Sequence, residues 1–171
     1  MELQQELKNK AVSLGLCQQW QDEWGTPDTD ALIKKYIKGI DFAIKHDFPS
    51  VKYINKSFSK DDLHKHGVYC DDKFKINGTE RVLVILGDSN GTIDIGGYGV
   101  CTIYVRHNSN VKITVNGFAS VIIKVYDNAK ADVSAKGYYR PRVYQYSDDV
   151  SVLTAGEVTT KYRSFEEVYG D

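Results

Sequence analysis

Three potential metal ligands fall close together: His64, His66 and Cys70, in the pattern H-x-H-x3-C, with Asp71 and Asp72 adjacent. Imidazole nitrogens and a thiolate are zinc-binding groups. Residues two apart do not share a helix face, however, and no second cysteine–histidine pair lies nearby to complete a tetrahedron. Histidines also suit a helix C-terminus, where the dipole favours positive charge. That polar helix end is the reading adopted, so no metal or cofactor is expected. His107 and Asp127 share one position of a repeat, and Asp148 and Asp149 lie near the next turn. Parallel β-helix lyases and hydrolases group carboxylates on such ladders, but here one position carries at most one acid per repeat. No catalytic residue is assigned. Cys101 falls in the repeat and reads as a structural thiol. Gly96-Gly97-Tyr98-Gly99 reads as a coil corner rather than a phosphate loop, and no nucleophile elbow, P-loop, dinucleotide fingerprint or H-E-x-x-H motif is present.

These residues sit in a chain of 171 residues with 42% hydrophobic and 26% charged composition and a formal net charge of −1. That is an ordinary globular composition, and the charge excludes a strongly basic nucleic-acid binder or an acidic DNA mimic on global balance. Eight lysines between Lys34 and Lys65 are interleaved with Asp41, Asp47, Asp61 and Asp62, without arginine, and read as solvated helix faces. Three widely spaced cysteines, Cys17, Cys70 and Cys101, form no disulfide framework and fit a reducing compartment. No secretory h-region or membrane-length apolar run is visible, so a cytoplasmic location with no membrane partner is the expectation.

The first part reads as helical. Leu3, Leu7, Ala11 and Leu14 recur at helical spacing, and Trp20 and Trp24 extend the apolar side into a second short helix. Thr26-Pro27 predicts a helix start, and Leu32, Ile33, Tyr36, Ile37, Ile40 and Ile44 predict one continuous face ending near Asp47, ahead of Pro49. Ser59-Lys60-Asp61-Asp62 has capping-box form, with its helix ending at Gly67.

The second part repeats without a gap. Gly91–Asn110, Val111–Lys130 and Ala131–Val150 align with a period of twenty residues. Ile93, Ile113 and Val133 share one position, with Leu153 expected to begin the next. Ile103, Ile123 and Val143 share another, and Tyr98, Phe118 and Tyr138 a third. Each block holds two alternating strands followed by turn residues. Stacked blocks make a parallel β-solenoid of about four coils, expected to be right-handed. The fold class is therefore α+β: a helical cap over residues 1–72, a β-solenoid over 73–158, and a C-terminal cap over 159–171. An antiparallel meander would explain the alternation but not the constant period.

Val125-Tyr126-Asp127-Asn128-Ala129 and Asn116-Gly117-Phe118-Ala119 resemble the "YDNA" and "GYA" repeats of β-helical proteins from gut Bacteroidetes and their phages or mobile elements. The stretch from Asp61 through His64-Lys65-His66-Gly67-Val68 to Asp71-Asp72 resembles the linker that precedes those repeats. The resemblance spans about residues 30–158 and implies the fold, but no catalytic residue.

With no catalytic constellation, the outward faces are the place to look for function. Tyr104, Arg106, Ile122, Tyr126, Arg142, Tyr144 and Tyr146 lie at even positions on or beside the second strand of successive blocks. They are expected to form an outward strip of the aromatic and cationic side chains common at interfaces. This points to a non-enzymatic binding or scaffold protein that takes a protein partner or self-associates. A small hydrolase acting on carbohydrate, and a nucleic-acid-binding accessory protein of a mobile element, remain the alternatives.

Overall fold

A computed structural model of the chain describes residues 2–78 and 80–171. The chain divides into two compact units, Met1–His66 and Gly67–Asp171. The division precedes the expected boundary at residue 72 because Val68–Cys70 is already a paired strand. No helix of the described residues is long and apolar enough to cross a membrane.

The first unit contains α1 (Leu3–Ser13), α2 (Gln18–Asp22), α3 (Thr29–Lys38), α4 (Ile40–His46), α5 (Val51–Ser57) and α6 (Lys60–Lys65). Asp28, rather than Thr26, caps α3, its carboxylate accepting the Ala31 N–H at 2.8 Å. The single helix expected through Ile44 is broken at Gly39, whose ψ of 28° leaves the helical range. A Cβ there would stand 3.3 Å from both the Trp20 ring and the Lys35 carbonyl oxygen, so the glycine sits where an indole packs against backbone. Ser59 caps α6 as expected: its hydroxyl accepts the Asp62 N–H at 3.1 Å and donates to the Asp62 carboxylate at 2.7 Å. Leu7, Ala11, Leu16, Trp24 and Leu32 form one apolar cluster in this unit.

The second unit contains β1 (Val68–Cys70), β2 (Lys73–Asn77), β3 (Val82–Leu86), β4 (Asn90–Ile95), β5 (Val100–Val105), β6 (Asn110–Val115), β7 (Ser120–Val125), β8 (Lys130–Ala135), β9 (Arg142–Gln145), β10 (Ser151–Ala155), β11 (Thr159–Tyr162) and α7 (Phe165–Tyr169). The strands form two parallel sheets, ordered β1-β3-β5-β7-β9-β11 and β2-β4-β6-β8-β10. Asn90 pairs with Asn110 and Asn110 with Lys130; Val100 pairs with Ser120. The expected twenty-residue register is thus the register of the solenoid. Ile93, Ile113 and Val133 stack from one sheet and Ile103, Ile123 and Val143 from the other, each at most 1% exposed. Burying such branched side chains supplies about 1.5–3 kcal/mol apiece, the main force against the entropy of ordering the coils.

The solenoid has about five turns rather than four, because short first and last strands extend it. At the start, Val68 pairs with Val84 and Lys73 with Asn90, which makes a shorter first coil. At the end, Ser151 pairs with Lys130, so one extra residue enters before β10. Leu153 therefore pairs with the outward Asp132 and is 66% exposed, contrary to its expected inward place. Thr154 takes the position over Val133. The tail adds β11 as the last strand of the first sheet, and its helix α7 brings Tyr169 against Tyr126 and Tyr146.

An Ile113→Asp substitution should lower stability by at least about 4 kcal/mol, because it buries a carboxylate with no partner. Lys112→Gln, on the exposed side of the same strand, should stay within about 0.5 kcal/mol. Urea unfolding of the two variants checks the inward–outward assignment.

Candidate functional site

The structure does not leave the expected Tyr/Arg strip open. Tyr104 is 8%, Arg106 5%, Tyr126 1% and Tyr146 2% exposed. Ile122 and Tyr144 are half-buried, and only Arg142 is exposed. The chain's own tail accounts for much of this. Tyr126 and Tyr146 stack with centroids 4.4 Å apart, and Tyr169 of α7 lies 6.1 and 5.8 Å from them. The Tyr126 and Tyr169 hydroxyls are hydrogen-bonded at 2.8 Å. Arg163 lies 4.0 Å from the Tyr144 ring, and Lys124 sits over Tyr104 at 5.1 Å. Rings one coil apart meet because stacked strands repeat at about 4.8 Å, so this column is an internal seam between sheet and tail.

His107 and Asp127, the pair at one repeat position, are engaged by the backbone, and Asp127 also lies 3.8 Å from Arg106. His107 and Asp127 both have a φ of 59°, at equivalent corners of successive coils. The Asp127 carboxylate accepts the His107 N–H at 2.9 Å, and His107 Nδ1 accepts the Gly87 N–H at 3.1 Å. Each side chain thus satisfies a backbone amide at the corner of the preceding coil. Asn108 donates to Asp88, and Asn128 to Asn108, along the same edge. Among the described residues, no three His, Cys, Asp or Glu side chains converge as a metal site. His66 instead lies 2.9 Å from Asp30, and this contact holds the Asp30 carboxyl below its usual range. Cys101 is buried, and burial together with the charge of Glu80 pushes its thiol up to about 12.

The opposite corner is open. Gly97 and Gly117 turn the chain with φ of 60° and 59°, and a Cβ on Gly117 would lie 3.1 Å from the Gly97 backbone. A Cβ on Gly137 would lie 2.6 Å from the Gly117 carbonyl oxygen. The small residues let successive turns hydrogen-bond directly, Phe118 N–H to Gly97 at 2.7 Å and Tyr138 N–H to Gly117 at 2.8 Å. The next residue of each turn then projects its ring in register. Tyr98 and Phe118 stack at 5.1 Å and 7°, and Phe118 and Tyr138 at 4.5 Å and 1°. The rings are 83%, 41% and 78% exposed, with Val100 at 67% and Tyr139 at 57% beside them. A cleft lined by Arg81, Gly96, Gly97, Tyr98, Gly99 and Val100 lies at the Tyr98 end. Sequence reasoning found this column as a repeat position but did not treat it as a site. Its available signal was an aromatic residue directly after a turn glycine, in three consecutive coils.

Compared with known proteins, the chain matches no family model, no curated protein and no solved structure.

Two measurements check this geometry. Burial, and then the hydrogen bond to Tyr169, raise the Tyr126 pKa above its ordinary 10.0. The native chain therefore holds a proton that the unfolded chain releases above pH 10, and stability should fall as pH rises beyond that point. Tyr126→Phe should flatten the alkaline fall in melting temperature. A thiol reagent at neutral pH should label the exposed Cys17 quickly and spare the buried Cys70 and Cys101 until the chain unfolds.

Proposed function

We propose that the protein is a non-catalytic binding or scaffold protein whose contact face is the aromatic corner at Tyr98, Phe118 and Tyr138. The observation that carries this is the exposure of three rings, aligned and stacked in consecutive coils, next to exposed Val100 and Tyr139. A solvated corner needs no such side chains, and contiguous exposed apolar surface marks interaction. This reading moves the expected interface from the outer strands, where the tail occupies the tyrosines, to the corner.

The chemistry of the corner favours a protein partner. A sugar stacks on the face of a ring; Phe118 has both faces occupied by its neighbours, which leaves only the outer faces of Tyr98 and Tyr138 at the two ends of the column. What the column offers along its length is a rib of ring edges with the hydroxyls of Tyr98 and Tyr138, amphipathic groups enriched at protein interfaces. A net charge of −1 supplies little attraction for nucleic acid. The histidine and acid of the other corner bond to backbone amides, which argues against the hydrolase reading.

Self-association is a second reading, favoured by the end of the solenoid. β10 and β11 are edge strands of their sheets, and the Ser151 N–H is directed inward to Ala129. With alternation along a parallel strand, the N–H and C=O of Val152 and Thr154 face the free side. Such an edge is a template for another strand.

Pull-down from host extract, followed by titration with the purified partner, tests the main reading. The triple substitution of Tyr98, Phe118 and Tyr138 by Ser should weaken binding at least about tenfold with the fold retained. A matched triple on Lys112, Thr114 and Ser134 should not. Equal binding by both would remove the corner as the site. Sedimentation separates the second reading: a dimer that dissociates in Thr154→Pro, but not in the corner variant, would assign self-association to the edge.

A further inference from the structure

The helical unit contains a cavity of about 350 Å³. Leu7, Ala11, Leu16, Trp20, Trp24 and Phe42 line it, drawn from α1 through α4. Its volume is near the lower end of the roughly 300–1,000 Å³ of small-molecule sites. The walls are apolar, while the polar groups of its lining are concentrated on one stretch of chain. Lys35 and Lys38, three residues apart on α3, carry their ammonium groups 5.6 Å from the Trp24 ring and 5.3 Å from the Trp20 ring. Lys35 also donates to the Glu23 carbonyl oxygen at 3.1 Å. An ammonium has three donors, so this bond leaves capacity for a ligand oxygen. Asp41 is the one acid in the lining, so the two lysines leave the site with an excess of one positive charge.

We propose that this cavity binds a medium-chain aliphatic carboxylate, with its tail between the two indoles and its headgroup at Lys35 and Lys38. The apolar walls select a hydrocarbon, the cavity size selects a chain of moderate length, and the lysines select a single negative charge. A neutral chain would leave both ammonium groups without a new partner. A cationic one would be repelled by them. The lysines already rest on the rings that form the wall, so the headgroup site and the tail site are contiguous.

The chain has two tryptophans, and both line the cavity. Intrinsic fluorescence of the full-length protein therefore reports occupancy directly. Titration with decanoate should give a saturable change in emission. Octanoate should bind about tenfold more weakly, at roughly three- to fourfold per methylene buried. Decanol and decyltrimethylammonium should bind at least tenfold more weakly than decanoate. A Lys35→Gln, Lys38→Gln double variant should reduce decanoate to the affinity of decanol and leave decanol unchanged. Ala11→Phe, which fills the cavity, should abolish binding with helical circular dichroism retained. The lysine variant changes one half-buried and one exposed side chain of α3, so it tests the proposal even if Ala11→Phe fails to fold. The proposal is overturned by the absence of a saturable response to decanoate, by equal affinity for decanoate and decanol, or by full decanoate binding in the double glutamine variant. Emission that responds to phosphatidylglycerol vesicles but not to decanoate would assign the face to a membrane surface, and would equally overturn it. None of these outcomes depends on the aromatic corner, whose own variant should bind decanoate normally.

Discussion

The central coils hydrogen-bond to one another at a constant offset of twenty residues, and this backbone pairing constrains most of the second unit. Once Asn90, Asn110 and Lys130 are aligned, every other side chain of those coils has a fixed neighbour above and below. Side chains of the same class then fall in columns at strand spacing. Inside, this produces stacked isoleucines and valines with almost no exposed area. At the corners it brings backbones so close that a Cβ on Gly137 would collide with the Gly117 carbonyl. The left-handed residues at the other corner, His107 and Asp127, have side chains that reach the amide of the coil below. Core, turns and polar edge all follow from one register.

The same constraint builds two aromatic columns with opposite fates. Tyr126 and Tyr146 stack at 4.4 Å, and Phe118 and Tyr138 at 4.5 Å. The first pair is closed over by α7, with a hydroxyl–hydroxyl bond that ties the tail to the sheet. No ring of the described residues closes over the outer faces of Tyr98 and Tyr138, which remain the more exposed members of their column. Stacking alone therefore does not distinguish a structural ladder from a contact surface. Coverage by a later part of the chain does, and it directs attention to the glycine corner.

Much of this architecture was legible in the residues because a gapless repeat reports register directly. The isoleucine columns, the strand pairs and the turn positions all appear as aligned positions. What the repeat could not convey was non-local. The covering of Tyr126 and Tyr146 depends on a short helix some twenty residues after the second and forty after the first, outside the repeat. A constant block length would place Leu153 inward, whereas one added residue before Ser151 shifts β10 by one position. Likewise, the break falls at Gly39, where the Trp20 indole packs close, a contact that helical spacing within one segment does not record. The aromatic corner was visible as a column, but its exposure depends on the turn geometry that aims each ring outward. The helical cavity was not legible at all, since four helices contribute its walls.

Removing a whole coil tests the register most directly. Deletion of Cys101–Ser120 takes out one period, joining Val100 to Val121 so that Leu83 meets Ile123 and Ile93 meets Val133 in the positions their lost neighbours held. Deletion of Cys101–Ala119 removes one residue fewer and puts the joined strand one residue out of register with β3, so its side chains alternate the wrong way unless the corner shortens. The account predicts that the first variant unfolds cooperatively with native-like β-sheet circular dichroism, while the second is unfolded or aggregated. Equal folding of the two, or failure of the whole-coil deletion alone, would contradict it.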